Sequence, residues 1–282
     1  MTETPTSARI IRALTADRQI RFSALDASPL WDGVRRGHPH LEADACGMLV
    51  DLLSGTLLLQ ARTFFSERLQ LLLKGAGRAR AVVADAWPEG DIRGVLDPSP
   101  RVTEGPWLQP PGTLTVMRSS RAGQPYQGTL ELVEGALSTQ VEAYLLQSEQ
   151  VQASITLWCD PGSGQAGGLL VEPLPDCPGD RLRRLIDAVE GLEVVPLWER
   201  TPEFLAAWVN GGPGAEILGT TGMRYFCRCS RESLLAALAG FGKDRAEELF
   251  REGDPVRVLC DYCGKDYLIG RTDLTTRLEG ES

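Results

Sequence analysis

The sequence predicts an α+β protein: a sheet-rich core domain with packed helices, a helical linker, and a small cysteine-bearing module at the C-terminal end. Three observations predict it. Short apolar runs with strand period, punctuated by Gly, Pro and Asp, fill much of residues 1–177. Among them, residues 41–61 are apolar on most faces, as a helix lying deep in a core must be. Four of the seven cysteines then gather into two close pairs, Cys227 with Cys229 and Cys260 with Cys263, after a helix-forming segment over 178–222. The parts expected are therefore 1–177, 178–222 and 223–282.

A chain of 282 residues with 43 % hydrophobic and 24 % charged residues has the composition of a globular protein with an ample core. Its formal net charge of −9 speaks against nucleic acid as a partner, because such binding rests on neutralising phosphates with a broad basic surface. No stretch reaches the roughly 18 apolar residues of a membrane helix, and MTETPTSARI lacks an apolar signal core, so neither a membrane span nor secretion is expected. An odd number of cysteines with a metal-like cluster fits a reducing compartment, and the cytoplasm is the expected location.

Taken in order, residues 8–25 alternate around a polar turn at 15–18, which reads as strand with Ile20, Phe22 and Ala24 on one face. Pro29, Gly33 and Pro39 end any following helix before His38 and His40. Those two histidines read as part of a turn rather than as metal ligands. Cys46, inside the helix over 41–61, reads as a small buried apolar residue. RLQLLLKGAG, RARAVVADAW, DIRGVL, TLTVMRSS and PYQGTLELVEG then read as strands. Gly75-Ala76-Gly77 is a turn without the strand-to-helix setting of a phosphate loop. Residues 138–150 have helix period with Ser138 as cap, and VQASITLWCD and LLVEPLP are further strands around PGSGQAGG. Cys159 and Cys177 sit at turns and read as incidental.

In the linker, Leu182, Leu185, Ile186 and Val189 have helical spacing, and TPEFLAAWVNGG starts a second helix at Thr201-Pro202 and ends it at glycines. Helices this short depend on packing against their neighbours. That suits a metastable linker and an inert connector equally. Beyond it, Ser230 and Ser233 outline a capping box before a helix, KDRAEELFREG suggests a second helix, and VRVLCDYCGKDYLIG reads as strand, knuckle and strand.

The cysteine spacing carries the chemistry. Zinc takes four soft or borderline ligands in a tetrahedron, and two short-range thiol pairs supply them. In an extended segment residues i and i+2 face one side, so Cys227 and Cys229 reach one ion. Gly264 after C-x-x-C lets the backbone turn tightly. One Zn²⁺ per chain, held by Cys227, Cys229, Cys260 and Cys263 in the reduced form, is the expected cofactor. Four thiolates around Zn²⁺ leave a charge near −2, and Arg224, Arg228, Arg231 and Lys265 are the nearby cations. They read equally as compensating charges and as solvated surface.

The string YFCRCSRE, the thirty-residue gap and the closing CDYCGKDYLI resemble the redox-regulated thirty-three-kilodalton heat-shock chaperone family. VVADAWPEGDIRGVL, GTLELVEGALSTQVEAYLLQSEQVQASI and AGGLLVEPLP are similar to that family's core-domain signatures, so the likeness covers most of the chain. The resemblance implies an ATP-independent holdase, not an enzyme, that is inactive when reduced and zinc-bound and active when oxidised. It implies unfolding client proteins as partners, a homodimer in the active state, and redox disulfides Cys260–Cys263 and Cys227–Cys229. A C-x-x-C pair closes at ordinary geometry, whereas a C-x-C backbone must distort, so the first of these is expected to form first.

Two other classes remain at this point. A zinc-ribbon regulator would need a basic face on 221–282, where the arginines are offset by several acids. A metalloenzyme would need an open coordination position, whereas four cysteines close the shell. With two histidines, both beside Pro39, no nucleophile–base arrangement stands out.

Overall fold

β1 (Ala8–Leu14) and β2 (Ile20–Asp26) form an antiparallel hairpin whose alternating apolar residues serve two different cores. Ile10 and Leu25 point to one, Ile11, Ile20, Phe22 and Ala24 to the other. This is a computed structural model, and it describes residues 8–63, 67–119, 124–175, 177–241, 245, 248–251 and 253–280. The chain divides into two compact units, 1–226 and 227–282.

The first unit is organised on a ten-stranded sheet. β3 (Arg68–Ala76), β4 (Ala79–Ala86), β5 (Asp91–Pro98), β6 (Gln109–Ser119) and β7 (Tyr126–Glu131) make one half. β8 (Ser154–Cys159), β9 (Ala166–Pro173) and β10 (Glu216–Tyr225) join β1 and β2 in the other. The spatial order is β7-β6-β3-β4-β5-β10-β1-β2-β9-β8, and every pairing is antiparallel except β5 with β10. β10 is thus the strand that joins the halves, pairing with β1 along its length and with β5 at Arg224 and Tyr225.

α1 (Ser28–Gly37), α2 (Ala43–Arg62) and α3 (Leu137–Ser148) lie with the first core, which gathers Leu49, Leu53, Leu57 and Leu58 of α2 against Leu71, Val82, Ile92 and Val116 of the sheet. α2 is the expected core helix. Against the sequence reading, this helix of 20 residues holds an 18-residue window of mean hydropathy 1.2, long and apolar enough to cross a membrane. Yet 78 % of that window is buried inside the protein, as a core helix of a globular domain requires.

The second core lies on the opposite face. α4 (Gly179–Gly191) and α5 (Pro202–Asn210) cover Ile11, Ala13, Phe22, Leu169 and Val171 with Leu185, Leu205 and Val209, joined by Leu192 from the turn after α4. α5 begins as its sequence dictates: Thr201 accepts a hydrogen bond from the Phe204 amide at 3.2 Å, Pro202 opens the helix, and Gly211 ends it at φ +78°. The Trp208 indole N–H donates to the Ala188 carbonyl at 2.7 Å and ties α5 to α4.

Several sequence expectations change in detail. The segment 178–222 is helical only through Asn210, because residues 216–225 pair into the sheet as β10. The two compact units divide after Phe226. Ser138 does not cap α3, which starts at Leu137; the Gln140 side chain instead accepts from the Val133 amide and donates to its carbonyl. β3 runs through Gly75 and Ala76, and the turn follows at Gly77, where φ is +135° and a Cβ would meet two backbone oxygens at 2.8 Å. His38 is buried at the end of α1, with Nε2 3.0 Å from the Gly94 carbonyl oxygen, and the histidines take no part in a metal cluster among the described residues. The helix suggested by KDRAEELFREG lies largely outside the described residues.

Candidate metal centre

In the unit 227–282 the local sequence places each thiol. α6 (Arg231–Ala239) starts directly after the first pair, and Ser230 and Ser233 complete a reciprocal capping box that fixes where the chain leaves Cys229. β11 (Val256–Leu259) and β12 (Asp266–Ile269) form a hairpin, and Cys260 and Cys263 occupy the turn between them. That turn closes through Cys260 N–H to the Lys265 carbonyl at 3.0 Å and Gly264 N–H to the Cys260 carbonyl at 2.8 Å. Gly264 has φ +66°, the left-handed conformation that a side chain disfavours. The backbone at Tyr262 hydrogen-bonds the Cys260 thiol and that at Lys265 the Cys263 thiol. A final helix, α7 (Arg271–Gly280), which sequence reading did not single out, adds Leu274 to the small core.

All four thiols meet. Their sulfurs lie within 4.8 Å of one another, with Cys227 to Cys260 at 3.7 Å and Cys229 to Cys263 at 3.5 Å. Disulfide sulfurs would be about 2.05 Å apart, so these are four separate thiols. A tetrahedral ion with metal–sulfur distances of about 2.3 Å needs sulfurs about 3.8 Å apart, close to this spacing. The donor set therefore fits a soft divalent metal ion, and no other cluster of metal-ligating side chains occurs among the described residues.

The thiols are also part of the packing. Cys260 is buried with Leu235, Ala239, Phe250, Tyr267, Ile269 and Leu274, and the other three cysteines pack against that cluster. Burial pushes the Cys260 thiol up to about 11 and the Cys263 thiol higher still. At Cys229 burial also disfavours the thiolate, but hydrogen bonds from the Tyr267 hydroxyl and neighbouring thiols outweigh it and the pKa is lowered. A cation among the sulfurs favours all four thiolates, and binding one releases protons.

Of the nearby cations, Arg231 pairs with Asp273, Lys265 lies 5.1 Å above the Tyr267 ring, and Arg224 belongs to β10, where it donates to Asp91 at 2.7 Å. Cys46, Cys159 and Cys177 lie apart from the cluster in the first unit. The Cys46 thiol faces Arg35 and the Leu41 carbonyl, and burial pushes Cys159 up to about 12. Sequence reasoning missed Tyr267. Its hydroxyl lies 3.1 Å from both Cys229 Sγ and the Cys229 carbonyl oxygen, and the alternating burial of DYLI is the signal that turns it inward.

Fold and site together define a two-unit α+β protein whose small second unit is built around four clustered cysteines able to hold a metal ion. The family model described as Hsp33 protein matches residues 8–270, and the chain belongs to the Hsp33 family. Relatives include the 33 kDa chaperonins of Acaryochloris marina, 28 % identical over 93 % of both chains, and of Deinococcus radiodurans, 27 % identical over 97 % of this chain and 99 % of that one. The crystal structure of the 33 kDa chaperonin (Heat shock protein 33 homolog) of Thermotoga maritima shares the fold. It has a TM-score of 0.80 at 22 % identity and covers 98 % of this chain and 99 % of its own.

Proposed function

We propose that this protein is a redox-regulated, ATP-independent holdase. In the reduced form Cys227, Cys229, Cys260 and Cys263 hold one Zn²⁺ and the chaperone is inactive. Oxidation of the thiols to Cys260–Cys263 and Cys227–Cys229 disulfides releases the ion and activates it. The observation that carries this reading is that the four thiols are themselves members of the small core of 227–282. A unit of this size has too little apolar core to persist without a staple. Zinc when bound contributes folding free energy, on the order of 10 kcal/mol in comparable peptides.

Each disulfide costs two thiols one proton and one electron apiece. With hydrogen peroxide as oxidant, two thiols and one peroxide give one disulfide and two waters, so the pair of disulfides consumes two peroxides. Two of the four ligands suffice to break the tetrahedron. Loss of order in 227–282 then acts on the preceding chain, because β10 ends only two residues before Cys227. Release of β10, α5 and α4 would uncover Ile11, Phe22, Leu169 and Val171, an apolar face able to bind unfolded clients by area burial without nucleotide.

In this reading 1–177 is the client-binding core, 178–222 the metastable linker and 223–282 the redox switch. The protein works in the cytoplasm as a dimer when active, with unfolding proteins as partners and no catalytic activity of its own. Arg231, Arg251 and Arg257 are each paired with an acid on the same unit, which weighs against a nucleic-acid-binding face there. The test is light scattering from an aggregating, chemically unfolded client, with the zinc-loaded reduced protein and the peroxide-treated protein compared. Protection by the oxidised form alone supports the reading. Protection by neither removes the chaperone assignment, and equal protection by both removes the switch.

A further inference from the structure

The hydrogen bonds on the sulfurs differ in kind: Cys260 and Cys263 receive theirs from the backbone at Tyr262 and Lys265, Cys229 from a side chain. On Cys229 the donor is a hydroxyl that a substitution can remove: the Tyr267 O–H, 3.1 Å from Sγ. The same hydroxyl lies 3.1 Å from the Cys229 carbonyl oxygen, so one proton has two acceptors within reach. A thiolate is the stronger acceptor, because a hydrogen bond to an ionised group is roughly twice as strong as one between neutral groups. While Cys229 is a thiolate the proton sits on sulfur. Once that sulfur is oxidised to a neutral disulfide, the carbonyl takes it, and the phenol need not move.

The consequence is kinetic. Attack on a peroxide uses the electron pair that the hydrogen bond engages, so a donor on sulfur slows its oxidation. Lys265 strengthens the effect: its ammonium lies 5.1 Å from the centroid of the Tyr267 ring, draws electron density from it, and makes the phenol a better donor. Tyr267 is held in place independently of the thiol. It is a residue of β12, opposite Val258 in β11, and its side chain is part of the small core.

We propose that Tyr267 shields Cys229 from oxidation, adding to the delay that the C-x-C spacing imposes on the Cys227–Cys229 pair. Tyr267 is a positioning residue, acting on a ligand and not on the oxidant. The inference rests on the redox reading above. It adds that the delay is written in a side chain as well as in the shorter C-x-C spacing. In the reaction with hydrogen peroxide, a Cys229 thiolate would become a sulfenic acid with loss of hydroxide. The Cys227 thiolate would then displace the second hydroxide to form the disulfide.

The experiment compares the full chain with Tyr267→Phe, which removes one oxygen and keeps the ring, and with Lys265→Met, which leaves the hydroxyl but removes the cation. Each protein, zinc-loaded and reduced, is given limiting peroxide. Disulfides are mapped by mass after rapid alkylation, and zinc is read with a chromogenic chelator. Tyr267→Phe is expected to form Cys227–Cys229 about fivefold faster, the scale of one hydrogen bond, which narrows the gap between the two disulfides. Lys265→Met is expected to move the same rate in the same direction by less. An unchanged Cys227–Cys229 rate in Tyr267→Phe overturns the proposal and leaves the redox reading intact. If Tyr267→Phe does not take up one zinc, Lys265→Met decides: a faster Cys227–Cys229 rate supports the proposal, and an unchanged rate overturns it. A wild type that forms neither disulfide overturns both the proposal and the reading beneath it.

Discussion

The Tyr225 hydroxyl donates to the Gly94 carbonyl at 3.1 Å and lies 2.9 Å from His38 Nε2, which fixes the end of β10 to α1 and β5 two residues before Cys227. The ring itself rests on α1, where a Cβ at Gly33 would stand 2.4 Å from that of Tyr225. The chain leading to Cys227 is therefore held by the core. Tyr225→Phe removes the hydroxyl bonds alone and is expected to cost about 1 kcal/mol in the first unit. Hydrogen exchange of the amides at 222–226 should quicken in the variant while those of α2 stay unchanged, and equal protection throughout would show that the anchor lies elsewhere.

The apolar face under α4 and α5 makes a sharper prediction. Leu205 is fully buried between α5 and the sheet. Leu205→Ala is expected to weaken that packing by about 2–5 kcal/mol. The reduced, zinc-loaded variant should then protect an unfolding client in part and bind a hydrophobic dye, without any oxidant. A variant that keeps its zinc, unfolds more easily and still gives no protection would separate the linker from client binding.

A pH dependence follows from Asp51 in α2. Its Oδ1 is buried without a hydrogen-bond partner, and burial pushes the carboxyl up to about 7. The folded state thus keeps a proton that the unfolded chain gives up near the ordinary carboxylate value. The unfolded state binds fewer protons between the two, so stability falls as pH rises from about 4 to about 7 and then levels off. Asp51→Asn should remove that decline and stabilise the first unit at pH 8, by on the order of 4 kcal/mol at most. Melting curves at pH 5 and pH 8 decide it.

Ser230 offers a test of how tightly folding and metal binding are linked in 227–282. Its hydroxyl oxygen accepts from the Ser233 amide at 3.1 Å, and Ser230→Ala should cost about 1 kcal/mol. If the metal and the fold form together, that loss appears in the zinc affinity as a roughly fivefold weakening in competition titrations. An unchanged affinity would mean that the site is preformed.

Much of this was legible in the sequence, for physical reasons that differ by element. Strand period in β1 and β2 and the continuous apolar surface of α2 follow from which faces meet a core. The cap at Thr201 and the box at Ser230 and Ser233 are local, so the residues that make them are adjacent. The four cysteines announced themselves by spacing. What was not legible is non-local. β10 reads as connector because Glu216–Tyr225 carries mixed, mostly exposed residues, and only its pairing with β1, some two hundred residues earlier, makes it a strand. Tyr267 and His38 likewise gain their meaning from partners far away in the chain. Ser138 misled because a serine in the first turn of α3 looks like a cap, while Gln140 does the work from inside the helix.

The most direct test of the account is the intact mass of the native protein before and after peroxide, with client protection followed on the same samples. The reduced chain should carry one zinc, and the oxidised chain none, with a loss of four hydrogens located to Cys227, Cys229, Cys260 and Cys263 and protection rising in step. A chain that keeps its zinc and its four thiols while protecting clients equally well would contradict the switch.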